Sequence, residues 1–272
     1  MANEARMWGR YAELRPAALA EIRQRAAAAY LPWGALAWHG PHLPLGLEGT
    51  VAEVVAERAA QRTGGVLLPT TWWPAGGLPH PDSLAPSPAV TGALWDELLG
   101  GLAGNGWRVA AIISGAYHPG HDLALMDAAE RAITRHGILT LAVPPLALVD
   151  EEMLDHAGLW ESSLLMALRP GQVEVDALGS APPNPAESGV VGRDPRGTAS
   201  ASIGNRALGL GIERIAAAVG QLLAEGSPAP LHALYARRRE RYQALIERHA
   251  GDYEAITAAW WAALSRTPAP DR

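Results

Sequence analysis

Apolar residues recur at helical spacing between 16 and 29, at Ala18, Leu19, Ile22 and Ala26, with Pro16 tolerated in the first turn. The stretch that follows, Tyr30 to Ala37, is almost continuously apolar and predicts a buried strand. Helical spacing returns from Thr50 to Ala59, where Thr50 with Glu53 three residues on forms a capping-box pattern and Gly64-Gly65 stops the helix. Val66 to Pro69 predicts a short strand, 88–104 a helix, and Arg108 to Ile113 the clearest strand of the chain. A helix over 123–136, a strand over Leu139–Val143 and a helical segment over 150–168 come next. A Pro/Gly-rich linker at 179–197 precedes an Ala-rich helix at about 199–224, and the Arg/Glu-patterned chain from 230 predicts more helix, with Trp260 and Trp261 near its end. Strand, loop and helix alternate with spacers long enough for crossovers, so the expected fold is α/β, a three-layer α/β/α sandwich with a mostly parallel sheet.

In such a sheet the loops after the strands open at one edge, and these loops carry the polar chemistry. Trp38-His39-Gly40-Pro41-His42-Leu43-Pro44-Leu45-Gly46-Leu47-Glu48 places two imidazoles and a carboxylate on a loop stiffened by two prolines. A second loop, Thr70 to Asp82, is rich in Trp, Gly and Pro, and its length without helix or strand pattern points to function. Six of the nine histidines, His39, His42, His80, His118, His121 and His156, fall in loop-like segments after strands. Convergence of His39, Glu48 and His118, with Glu161 as a further candidate, would make a metal site of nitrogen and oxygen ligands. His136, His232 and His249 lie among charges on predicted helices and read as solvated.

Composition narrows the chemistry. The 272 residues are 49% hydrophobic and 18% charged, which fits a globular enzyme. All 22 basic residues are Arg, which excludes a Lys Schiff base and a P-loop lysine. A net charge of −6 without a basic stripe argues against a nucleic-acid partner. With no Cys there are no thiolate ligands, so a metal must be held by His, Asp and Glu. Residues Met1 to Arg10 lack an apolar signal core, and apolar stretches are broken by Gly, Pro or charge before reaching membrane-spanning length. The expectation is a cytoplasmic protein with no membrane partner.

The segment from Trp33-Gly34 to Glu48 resembles the signature of the creatininase (creatinine amidohydrolase) family, in which Glu-Gln-His-Gly-Pro-His-Leu-Pro-Leu-Gly-Thr-Asp follows a glycine strand end. Four later segments resemble family motifs in the same order: His80-Pro81 with Ser83-Leu84, Ile113 to Ala116, Asp155 to Ser163, and Gly189 to Pro195 with Thr198-Ala199. The resemblance spans about 30 to 225. It divides the chain into a creatininase-like domain at 1–226 and a C-terminal helical extension at 227–272 packed on it.

The resemblance implies a metal-dependent hydrolase acting on a C–N bond of a small amide or cyclic amide, in a homo-oligomer. Family members bind two divalent ions sharing the carboxylate at the position of Glu48. One ion also takes a Glu and a His at positions occupied here by Ala37 and Ala116, and methyl groups cannot coordinate. The other takes the His at His39, the shared carboxylate and, in creatininase proper, a carboxylate at the position of His118. The implied cofactor is therefore one divalent ion, zinc before manganese or iron, held by His39, Glu48 and His118, with His121 the rival of His118. His156 matches the catalytic His, with Asp155 to orient it and Glu161 as a catalytic or ligating carboxylate. His42, Trp72, Trp73, His80, Tyr117, His121 and Trp160 are expected to contact the small-molecule substrate. Two alternatives stand beside this reading: a non-hydrolytic mononuclear metalloenzyme (a lyase or cyclase, or a non-haem iron enzyme) in a biosynthetic pathway, and a metal-free pseudoenzyme.

Overall fold

A computed structural model describes residues 7–265. The elements run β1 (Trp8–Arg10), α1 (Pro16–Arg25), β2 (Ala28–Trp33), α2 (Leu47–Thr63), β3 (Gly65–Leu67), α3 (Pro88–Gly104), β4 (Val109–Ser114), α4 (Pro119–His136) and β5 (Leu139–Val143). There follow α5 (Leu159–Leu168), α6 (Pro185–Ser188), α7 (Ala201–Glu225), α8 (Ala229–Glu240), α9 (Gln243–His249) and α10 (Tyr253–Leu264). The strands pair in the order β1-β3-β2-β4-β5, and every pairing between these five strands is parallel. Helices α2, α5 and α7 pack together on one face, and α3 and α4 on the other. This is the three-layer α/β fold that the alternating pattern predicts. Strands β2, β4 and β5 are buried along their whole length, as a sheet covered on both faces requires.

Four boundaries differ from the sequence reading, and each difference shapes the site. Strand β2 ends at Trp33, so everything from Gly34 to Gly46 is free to form a loop. Helix α2 starts at Leu47 with Gly46 at its N-cap; Thr50 lies inside the helix and its hydroxyl donates back to the Gly46 carbonyl at 3.0 Å, so it caps nothing. Helix α4 begins at Pro119, which takes His121 and Asp122 out of the loop and into the first helical turn. The segment 150–168 is helical only from Leu159, apart from a 3₁₀ turn at Glu151–Met153, and this leaves Asp155 and His156 on a loop. The edge strand β1 has no counterpart in the hydrophobic pattern; it is three half-buried residues held by pairing with β3.

The C-terminal helices are welded to the sheet. Tyr235 on α8 donates to the Thr140 carbonyl at 2.5 Å and accepts from the Ala142 amide at 3.0 Å, which closes the β5 edge. Arg238 is buried and pairs with Asp122 at 2.7 Å and Glu151 at 2.9 Å, and Tyr242 donates to the same Asp122 at 2.7 Å. Helix α10 packs along α4. Helix α7 is long and apolar enough, by length and composition alone, to cross a membrane. Its stripe of Leu208, Ile212, Ile215 and Val219 is instead buried in the protein core, and the helix packs on α2 and α5.

Candidate metal centre

All the loops that matter leave the carboxyl edge of the parallel sheet. The loop after β2 carries His39 and delivers the chain into α2, whose first turn carries Glu48. Glycines make this approach feasible. A Cβ on Gly34 would strike the Gly49 backbone, and one on Gly115 would strike the Glu48 carbonyl, so the start of α2 sits directly on the ends of β2 and β4. Gly40 adopts a positive φ of 71° and packs against Ser188, which locks the His39 loop to the segment after α6. That segment also pins His156: its amide donates to the Val191 carbonyl at 3.1 Å and its carbonyl accepts from the Val191 amide at 2.8 Å.

Ligand atoms of His39, Glu48, His156 and Glu161 all lie within 4.8 Å of one another, and all four residues are buried. His39 Nδ1 faces the Ala37 carbonyl at 2.8 Å. A carbonyl only accepts, so Nδ1 carries the proton and the Nε2 lone pair points inward. That Nε2 lies 3.5 Å from both Glu48 Oε1 and Glu161 Oε2. His156 obeys the same logic with its nitrogens exchanged. Its Nε2 donates to the Trp38 carbonyl at 2.9 Å, which turns the Nδ1 lone pair toward Glu161 Oε2 at 4.0 Å. Two lone pairs and two carboxylates therefore face one another in a dry site. Such an arrangement repels itself unless a cation or protons stand at its centre. His39 Nε2 and Glu48 Oε2 are buried without a hydrogen-bond partner, as ligand atoms awaiting an ion would be.

The ionisation equilibria carry the same message. Burial alone would lower the His39 pKa, but the charges of Glu161 and Glu48 outweigh it and carry it up to about 9. Glu161 rises to about 8 because it is buried, with Glu48 and Asp155 adding like charge against the opposing pull of His39. Both shifts favour the protonated forms, the direction expected where donor atoms face one another without a cation between them.

The other expected site residues divide by their contacts. His118 is buried beside this group but outside it; its Nε2 has no hydrogen-bond partner. His121 is spent on structure: Nδ1 accepts from the Ala75 amide at 3.0 Å, so Nε2 carries the proton and donates to Ser114 Oγ at 2.9 Å. It has no lone pair left for an ion. Asp155 does not orient His156. Its carboxylate accepts from the Trp160 and Glu161 amides at 2.7 and 3.1 Å and thereby caps α5, while burial raises its pKa to about 7. His42 donates through Nε2 to the Ala157 carbonyl at 3.0 Å and ties the first loop to α5. Trp72 fills the space left by Gly46 and Gly49, a packing role. Trp73 is 45% exposed, and His80 stacks on Trp38 at 4.0 Å, half-buried.

Tyr117 and Trp160 line a pocket together with Glu48, Asp155, Glu161 and apolar side chains such as Leu146, Met153 and Leu208. A smaller space lies between Ala37, Ala116, Glu48 and His118. Ala35, Ala37 and Ala116 form a small apolar cluster of their own there. Two residues from α10 also reach site histidines, and neither was singled out in the sequence. Thr257 Oγ1 lies 3.0 Å from His118 Nδ1, and the Trp261 ring stands edge-on to His156 at 6.2 Å. No spacing or composition signal connects residues so far apart in the chain.

Fold and site together define a class: an α/β protein with a buried His/Glu centre at the carboxyl edge of a parallel sheet, whose donor atoms could hold a metal ion. The sequence model of the creatininase family, described as creatinine amidohydrolase, matches residues 12–219. The chain belongs to the creatininase family of amidohydrolases. It is 25% identical over 178 residues to a creatinine amidohydrolase from Pseudomonas putida, covering 56% of this chain and 68% of that protein. A crystal structure of creatininase superposes with a TM-score of 0.68 at 21% identity, covering 81% of this chain and 98% of that one. A putative creatinine amidohydrolase from Bacteroides fragilis superposes with a TM-score of 0.61 at 20% identity, covering 80% and 97% of the two chains. Creatininase structures of this set carry Zn or Mn.

Proposed function

We propose that this protein hydrolyses a C–N bond of a small amide or cyclic amide with a single divalent ion. The observation that carries the reading is the convergence of four inward-facing ligand atoms, from His39, Glu48, His156 and Glu161. His39 Nε2, Glu48 and Glu161 would hold the ion; zinc suits an imidazole and two carboxylates, and manganese or iron would be accepted. When bound, the ion supplies Lewis-acid polarisation of a carbonyl and of a water. The methyl groups of Ala37 and Ala116 beside Glu48 support the count of one.

The chain's own groups supply the rest. The pocket lined by Glu48, Glu161, Tyr117 and Trp160 brings a small molecule against the two carboxylates. His156 is held neutral by burial and by the nearby His39, with its Nδ1 lone pair aimed into the site. It accepts the proton of the attacking water and returns it to the departing nitrogen. Trp38, through its carbonyl, and Val191 fix the ring for that transfer.

Metal analysis of the purified protein, before and after His39→Ala, tests the reading. One zinc per chain is expected in the wild type. Losing a ligand should weaken binding by more than the roughly 10- to 100-fold that loss of a supporting residue costs, and amide hydrolysis should go with it. Retention of both metal and activity in His39→Ala would sink the assignment. Oxygen-sensitive iron would turn it toward redox chemistry, and no bound metal toward a pseudoenzyme.

A further inference from the structure

His118 is a candidate ligand that offers the wrong atom. Its Nδ1 lies 3.2 Å from the amide nitrogen of His121, in the first turn of α4. First-turn amides have no helical acceptor, and an amide cannot rotate or reverse its polarity. The His121 N–H therefore fixes a lone pair on His118 Nδ1, and the ring proton must sit on Nε2. The same fixed donor excludes the doubly protonated ring. Thr257 Oγ1, 3.0 Å from Nδ1 and 3.0 Å from the Tyr253 carbonyl, is compatible because a hydroxyl proton can turn to either acceptor. His118 is 4% exposed and its Nε2 has no hydrogen-bond partner among the described residues. It lines the small space beside Ala37 and Ala116 together with Glu48, whose Oε2 is likewise unpartnered.

We propose that His118 is a hydrogen-bond donor to the substrate's carbonyl oxygen and not a metal ligand, and that Thr257 of the C-terminal helix α10 is the residue that positions it. This rests on the amidohydrolase reading above. A neutral imidazole N–H fixed in a water-poor site stabilises negative charge developing on an oxygen as the carbonyl is attacked. The donor needs no reorganisation because the helix amide on one side and α10 on the other hold its ring. Gly120 shows how closely the two helices are fitted: a Cβ there would strike the Tyr253 carbonyl and the Thr257 hydroxyl. The segment supplying Thr257 lies beyond the residues 12–219 matched to the family, so α10 is an addition that completes the site of this chain.

Nitrogen-15 NMR of the histidine rings in the full-length protein, with and without zinc, tests the tautomer directly. The Nε2–H form of His118 is expected in both states, and an Nδ1–H form in either would overturn the proposal. His118→Ala and His118→Gln should each keep one zinc per chain; loss of zinc from both would make His118 a ligand after all. Addition of 2-pyrrolidone, a minimal lactam, to the zinc-loaded protein should shift the His118 Nε2–H cross-peak, and an unmoved peak would remove the substrate contact. Thr257→Val should broaden or split the His118 ring signals and Thr257→Ser should restore them, whereas a merely structural Thr257 would leave them sharp in a folded variant. A wild type without zinc defeats the parent reading alone, since the tautomer is also read in the metal-free protein.

Discussion

Each imidazole at the site is committed by the partner of its other nitrogen. The Ala37 carbonyl frees His39 Nε2, the Trp38 carbonyl frees His156 Nδ1, and the Ala75 amide removes His121 from any ligand role. This arrangement has a measurable consequence. In the metal-free protein the facing charges hold His39 toward its protonated form, and burial does the same for Glu161. Zinc binding must compete with protons on this pair, so calorimetry in buffers of different ionisation enthalpy should report net proton release. Uptake of zinc with no proton release would contradict the four-residue site. The neighbouring histidines act in the opposite sense. Burial lowers His42 and His118 to about 4 and His121 to about 3, against 6.5 in the unfolded chain. Below pH 6.5 the unfolded state binds more protons at these residues, so the stability present above 6.5 is lost as the pH falls toward 4. Below about pH 6 these three histidines together with His156 outnumber Asp155 and Glu161, which the folded chain protonates and which act in the opposite sense, so the thermal midpoint of the metal-free protein should decline from about pH 6 to 4.5.

At the scale of elements, the site depends on how closely the start of α2 approaches the strand ends. Gly115 is the tightest point, because its missing Cβ makes room for the carbonyl of Glu48 itself. Gly115→Ala must push the first turn of α2 outward. Overpacking of this kind costs about 1–3 kcal/mol, and the same displacement moves a ligand carboxylate, so denaturant unfolding and zinc affinity should fall together. A variant that lost stability but kept full zinc affinity would show that Glu48 is not held from this side. The elements also explain which parts of the site were readable. His39 and Glu48 sit within one loop-to-helix connection, whose Gly/Pro pattern after an apolar strand marks it as an active-site loop. The family resemblance implies that Asp155 orients His156. The start of α5 at Leu159 takes its carboxylate as a cap instead, because first-turn amides need acceptors.

At the scale of the molecule, the C-terminal helices connect the far face of the sheet to the catalytic edge. Their anchor is the buried Arg238–Asp122–Tyr242 cluster, with Glu151 as a second acid. Removing one partner of a buried pair leaves the other charged and unsolvated, which costs about 3–5 kcal/mol. Arg238→Ala should therefore lower the melting temperature by roughly 10 °C, at about 2–4 °C per kcal/mol for a chain of this size. Because Asp122 lies on the same helix turn as His121, zinc-loaded protein should feel the substitution in the His118 ring signals as well as in the melt. A melting temperature unchanged within a degree would show that the pair contributes nothing net.

The chain by itself determined the layered α/β architecture, since alternating apolar runs and helical spacings leave few ways to bury both faces of a parallel sheet. It also marked His39, Glu48 and His118, with Glu161 as a further candidate, since polar residues after strands gather at one edge in any such sheet; the family resemblance added His156, which folding brings into the group in place of His118. Tertiary structure alone decided which lone pairs face inward. That choice is set by carbonyls and amides at Ala37, Trp38, Ala75 and His121, and by a hydroxyl from a helix more than a hundred residues beyond His118. A hydrogen bond depends on where two atoms stand in space, and no pattern along the chain records that for partners brought together by folding.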